Sequence, residues 1–159
     1  MVRPTIEVAM RTLYVENASV RRKVWEPGVY AVLPDFKDDS PELRLPDDTR
    51  VIFTPTRDDT LMEDWERVDG KPFTTDNSPG GFFRAMMYLY ATGNPVRVMD
   101  WSSESCVRVP SSMNESVMIH FEEEGAESEA QYIPTRWDYL TELWTIYRKG
   151  CHVGTVTKD

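Results

Sequence analysis

Cysteine and histidine are scarce in this chain: 159 residues contain only Cys106, Cys151, His120 and His152. Two cysteines make neither a disulfide framework nor a zinc-ligand spacing, so a reducing cytoplasm is the plain expectation and no metal is implied. Positive charge is also short, with a formal net charge of −9. Gripping nucleic acid or an anionic membrane through counterion release therefore has no overall driving force. A small anion in a locally basic pocket remains compatible with that balance. No apolar run approaches the length of a membrane helix, and Met1-Val2-Arg3-Pro4 lacks the apolar stretch of a secretory signal. Enzyme motifs are missing as well: no Gly-rich phosphate loop precedes a helix, and there is no nucleophile elbow or metal-binding helix motif. His120 falls in an expected strand and His152 in the tail, neither with a catalytic partner. The pairs Asp58-Asp59 and Glu63-Asp64 read as helix caps and solvent faces rather than acid–base machinery. No catalytic residue and no cofactor is implied.

What the chain does contain is a repetition. Ile6, Ala9, Met10, Leu13 and Tyr14 form an apolar stripe of helical period. Seventy-six residues later Phe82, Ala85, Met86, Leu89 and Tyr90 form it again. At the same offset Val20 meets Val96, Arg21 meets Arg97, Trp25 meets Trp101 and Pro34 meets Pro110. At an offset of 79, Pro55-Thr56-Arg57 meets Pro134-Thr135-Arg136, while Asp59, Leu61, Glu63 and Trp65 meet Asp138, Leu140, Glu142 and Trp144. Only five tryptophans occur in the chain, so two matched pairs argue for duplication. The expected fold class is α+β: a small unit made twice, each with an N-terminal helix, an antiparallel sheet and a short helix before the last strand. The first unit spans residues 1–70, a linker 71–79, and a diverged second unit with a C-terminal tail 80–159. Units this small bury a modest share of their surface, so the two are expected to pack together as a pseudo-dimer.

Local signals place the elements. A helix is expected over Thr5–Glu16, and strands over Val20–Trp25 and Val29–Leu33 around the turn Glu26-Pro27-Gly28. A hairpin follows, Leu43–Leu45 and Val51–Thr54 around Pro46-Asp47-Asp48. Thr56 caps a short helix over Arg57–Asp64, and Trp65–Val68 closes the unit as a strand. In the second unit Gly93-Asn94-Pro95 supplies the first turn, and Glu122-Glu123-Glu124-Gly125 the hairpin loop.

Two segments carry candidate binding chemistry. Val20-Arg21-Arg22-Lys23-Val24-Trp25 puts three cations beside an indole in an acidic chain. Strand alternation sends Arg21, Lys23 and Trp25 to one face, an arrangement that stacks a base and pairs a phosphate. The plainer alternative is a core indole with solvated cations. Thr56 and Asp59 at the start of the short helix offer a hydroxyl and a carboxylate to ribose or base edges, although a simple cap explains Thr56 and Thr135 more economically. Arg97, Trp101, Thr135 and Asp138 are the matching candidates in the second unit. Trp65 and Trp144 read as core or interface anchors rather than base stackers, with a pocket wall as the alternative.

The ordered pattern resembles the second-type Thoeris anti-defence proteins, small phage proteins that usually carry one such unit. It comprises the amphipathic helix, Val20–Trp25, Gly28-Val29-Tyr30, then Phe53-Thr54-Pro55-Thr56 through Leu61-Met62-Glu63-Asp64-Trp65-Glu66. The likeness covers the first unit nearly end to end and the second more weakly. The resemblance implies a partner, a cyclic nucleotide signal (glycocyclic ADP-ribose or a cyclic dinucleotide), sequestered without cleavage in the host bacterial cytoplasm. It also implies a homodimer of tandem chains matching the family's tetramer. Val98 and Met99 stand where the first unit has Arg22 and Lys23, which leads to the expectation of one basic pocket and one retuned pocket. The competing reading is an acidic inhibitor of a defence effector such as a CRISPR nuclease, through Asp35–Asp39 and Glu122–Glu129.

Overall fold

The computed structural model describes residues 3–36, 39–74, 81–101, 105–108, 118–123, 126–148 and 151–155. Within these residues the fold is mixed α+β, with four helices and two antiparallel sheets. Helix α1 is Ile6–Glu16, and Thr5 caps it by accepting from the Val8 backbone N–H at 3.3 Å. It stops at Asn17, whose φ of 57° is left-handed, a conformation asparagine tolerates. The expected stripe of Ile6, Ala9, Met10, Leu13 and Tyr14 is buried along its length.

Strands β1 (Val20–Arg22), β2 (Tyr30–Val32), β3 (Glu42–Arg44), β4 (Arg50–Ile52) and β5 (Trp65–Arg67) form a sheet in the order β4-β3-β2-β1-β5. Short helix α2 (Arg57–Leu61) precedes β5. Helix α3 is Gly81–Thr92, with Phe82, Ala85, Met86 and Leu89 buried. Strands β6 (Val96–Val98), β7 (Cys106–Arg108), β8 (Met118–Glu123), β9 (Ala126–Gln131), β10 (Trp144–Arg148) and β11 (Cys151–Thr155) form the second sheet, with α4 (Arg136–Leu140) before β10. Its order, β9-β8-β7-β6-β10-β11, runs like the first with β11 added at one edge. His152, expected in a tail, lies in β11, because Cys151 and His152 pair with Arg148 and Tyr147 of β10. Among the described residues no helix is long and apolar enough to cross a membrane.

One core joins both sheets. Ile6, Leu13, Phe53 and Trp65 belong to the same buried cluster as Phe82, Leu89, Tyr139 and Trp144. Between the sheets, α1 packs on α4 and α2 on α3. Gly81 marks how closely α3 approaches the end of α4: a Cβ there would meet the Thr141 carbonyl oxygen at 2.9 Å and Trp144 Cδ1 at 3.0 Å. Glu7 of α1 accepts from the Phe83 backbone N–H at 3.1 Å, satisfying an otherwise orphan donor in the first turn of α3.

Strands and short helix are tighter than the sequence suggests. β1 ends at Arg22 rather than running to Trp25, because the Trp25 N–H turns back to the Arg22 carbonyl at 3.1 Å. Helix α2 ends at Leu61 rather than Asp64, where Met62 takes an extended conformation. Pro110, most of the linker (75–79) and the 124–125 loop lie outside the described residues.

Candidate functional site

The turn after β1 decides what the cationic segment does. With the strand over at Arg22, the alternation that would align Arg21, Lys23 and Trp25 ends too, and Trp25 folds back toward the core. Its ring meets Phe53 at 5.8 Å and Trp65 at 5.2 Å, both edge-to-face. Arg21 fastens the turn: its guanidinium donates to the carbonyls of Trp25, Glu26 and Val29 and lies 3.6 Å from the Glu66 carboxylate. Arg97 repeats the device, donating to the Met99 and Trp101 carbonyls, while Trp101 lies edge-to-face with Tyr132 and Trp144. Lys23 is exposed, and so is Val24.

Arg22 is buried, as alternation with Val20 requires. Its guanidinium donates to Asp64 at 2.8 and 2.9 Å and to Asp59 at 3.0 Å. The bonds to Asp64 first, then to Asp59, hold its pKa above the ordinary arginine value despite burial. Asp59 also closes a capping box with Thr56: the Thr56 hydroxyl accepts from the Asp59 N–H at 3.1 Å, and the carboxylate accepts from the Thr56 N–H at 3.0 Å. Trp65 Nε1 donates to the Asp59 carbonyl. The expected open basic pocket of Arg21, Arg22, Lys23, Trp25, Thr56 and Asp59 is thus not what the geometry assembles: five of the six are engaged in a turn, an ion cluster or a cap.

In the second sheet Thr135 and Asp138 close the same capping box, and Trp144 Nε1 donates to the Asp138 carbonyl. The charge solution differs. Val98, fully buried, stands in place of Arg22, Leu143 in place of Asp64, and Tyr132 in place of Phe53. The Tyr132 hydroxyl donates to the Asp138 carboxylate at 2.7 Å. Burial raises the Asp138 pKa, with the Tyr132 and Thr135 bonds opposing, and burial likewise pushes Tyr132 well above the usual phenol value. The missing counterpart of Arg22 is therefore a core exchange of one donor for another.

A cleft opens elsewhere, between α2 and α3. It encloses about 260 Å³ and is lined by Arg57, Leu61, Glu63, Phe83, Met87, Tyr90 and Ala91. The Arg57 guanidinium sits over the Tyr90 ring, 5.7 Å from its centroid. Burial pushes the Tyr90 phenol up to about 12, with Arg57 opposing. Among the described residues Arg57 has no carboxylate within ion-pair reach. Glu63, at the rim, is held by Arg3 at 2.6 Å, and Arg3 itself lies over the Phe83 ring. Leu61, Met87 and Ala91 add apolar lining beside one cation and one carboxylate paired with Arg3.

The positions at matching offsets, between α1 and α4, are built differently. Arg136 sits over Tyr14 at 5.9 Å, much as Arg57 does over Tyr90. Here Glu7 and Arg11 replace Phe83 and Met87, and Arg11 reaches Glu7 at 3.7 Å and Glu142 at 3.5 Å, an ion network across the gap. Tyr14 is buried, and its hydroxyl donates to the Asp39 carbonyl.

Arg57 and Tyr90 were not among the sequence candidates, although each recurs, as Arg136 and as Tyr14. That double recurrence was the available signal; the cation–π contact joining them crosses from one half of the chain to the other. Among the described residues no group of three or more His, Cys, Asp or Glu side chains is arranged to hold a metal ion. Compared with family models, with curated proteins and with solved structures, the chain matches none.

Proposed function

We propose that the chain is a capture protein for cyclic nucleotide signals, glycocyclic ADP-ribose or cyclic dinucleotides, which it holds intact in the cytoplasm of a phage-infected bacterium. On this reading the two halves are tandem copies of one unit packed as a pseudo-dimer, and two chains associate. The likeness of the segments from Val20 to Trp25 and from Phe53 to Glu66 to second-type Thoeris anti-defence proteins suggests the ligand class. The observation that carries the reading is the cleft between α2 and α3, where an arginine with no carboxylate partner among the described residues lies over an aromatic ring beside apolar side chains. Competing with a signal receptor takes nanomolar affinity, about −12 kcal/mol. Stacking contributes roughly 1–3 kcal/mol per base and each charged hydrogen bond about 1.5–3 kcal/mol, so one cleft supplies part of that sum and a facing second chain the remainder. The test is to incubate the protein with cyclic di-AMP and glycocyclic ADP-ribose, wash it by filtration, denature it and analyse what is released. Recovery of unaltered ligand supports capture; altered products, or nothing retained from either compound, refutes it.

One observation favours a second reading, an acidic protein that occupies a basic surface on a defence effector. In the β8–β9 hairpin the backbone register pairs Glu122 with Glu127, so the acidic run of this segment is gathered on one hairpin. Asp35 and Asp39 lie in the described chain, while Lys37 and Asp38 between them lie outside it. Tight co-purification with an effector, lost on Glu122→Lys, would favour this reading over capture.

A further inference from the structure

The cleft's size and chemistry point to something narrower than a whole cyclic nucleotide. Its volume of about 260 Å³ falls below the roughly 300–1,000 Å³ of pockets that enclose a drug-sized ligand. One base-sized ring with one phosphate is commensurate with that space; a two-base macrocycle is not. The lining supplies what such a fragment needs. The Arg57 guanidinium, held over Tyr90, keeps its N–H donors available to an anion. Leu61, Met87 and Ala91 offer an apolar surface for a ring face, and the Met87 side chain is 47% exposed. Glu63, its charge balanced by Arg3, presents an acceptor for the exocyclic amine of a base. Across the molecule, the matching gap is bridged by Glu7, Arg11 and Glu142. A ligand entering there would have to part Arg11 from two carboxylates and offer its own phosphate to the vicinity of both.

We infer that the α2–α3 cleft is a mononucleotide-sized subsite that pairs a phosphate with Arg57 and seats one amine-bearing base on Leu61, Met87 and Ala91, and that Glu7 and Arg11 close its counterpart, so that each chain offers one such subsite. This rests on the nucleotide class of the proposed function but assigns the place, the fragment and the stoichiometry. The remainder of a cyclic dinucleotide would protrude from the cleft toward a second chain.

The experiment uses the full chain with ¹³C-methyl methionine and AMP as probe, the Met87 signal being assigned through Met87→Leu. AMP should shift the Met87 methyl and saturate at one equivalent per chain. Inorganic phosphate alone and adenosine alone should each shift it more weakly. Arg57→Ala, a change at an exposed side chain, should weaken the AMP response at least about tenfold, while Lys71→Ala, at an exposed cation outside the cleft, should leave it unchanged. A Met87 methyl that ignores millimolar AMP, an equal response in Arg57→Ala, loss of the response in Lys71→Ala, or two equivalents per chain would each overturn the inference. A parallel retention assay with cyclic di-AMP separates the two ideas. AMP docking without retained macrocycle sinks capture and leaves the subsite standing; retained macrocycle with a silent Met87 does the reverse.

Discussion

Exchanging the buried donor for Asp59 is the sharpest perturbation available. Arg22 and Asp59 are both nearly buried, with side chains 8% and 9% exposed. Arg22→Val leaves the Asp59 carboxylate with only the Thr56 N–H, and breaking one side of a buried pair costs about 3–5 kcal/mol. For a chain of this length that amounts to a fall in Tm of roughly 6–20 °C. The second sheet shows the remedy, since Val98 is tolerated where Tyr132 donates to Asp138 at 2.7 Å. Phe53→Tyr should place a hydroxyl near Asp59, and a hydrogen bond to a charged group restores about 1.5–3 kcal/mol. Rescue should be partial, because Asp64 also loses its partner; adding Asp64→Leu, the residue type found at Leu143, should complete it. Urea denaturation of the wild type, both single variants and the double variant gives the coupling directly. A coupling energy within about 0.5 kcal/mol of zero, or an Arg22→Val as stable as the wild type, would refute the claim that these residues are alternative answers to one buried carboxylate.

Other consequences are simpler to check. Arg21→Ala should destabilise by about 1–3 kcal/mol, since the Trp25, Glu26 and Val29 carbonyls each lose one donor, and should leave ligand retention intact once the protein is folded. Gly81→Ala forces a Cβ to within 2.9 Å of the Thr141 carbonyl oxygen, and thermal melting should show the roughly 1–3 kcal/mol loss of an overpacked contact. Asp138 has its pKa raised in the fold, so its contribution to stability is present below the unfolded carboxylate value and is lost as pH rises through the folded one. Asp138→Asn removes that ionisation, so its stability relative to wild type should improve between pH 4 and pH 7 in urea titrations. A constant difference across that range would contradict the assignment.

Periodicity and punctuation made much of the architecture legible. The apolar stripe of α1 at every third and fourth residue, the Pro27-Gly28 turn and the Thr56 and Thr135 caps are local features with local causes, and the elements formed where those signals stand. The core roles of Trp65 and Trp144 were legible for the same reason: a tryptophan recurring beside a strand has few exposed uses. Strand ends were less legible, because the turn at Trp25 depends on a hydrogen bond to Arg22 and a guanidinium clamp from Arg21 that no alternation pattern encodes.

The chain by itself determined its helices, its hairpins and the matched positions of its two halves, all of which follow from dihedral preference and from which side chains avoid water. Tertiary structure alone decided which charged groups remain available. Arg22 looked free because its partners Asp59 and Asp64 lie 37 and 42 residues away, and only folding brings them within 3.0 Å. Arg57 looked like an ordinary first-turn residue until α3 brought Tyr90 beneath it. Desolvation and pairing belong to three-dimensional neighbourhoods, so a cation's role is set by which carboxylate reaches it first.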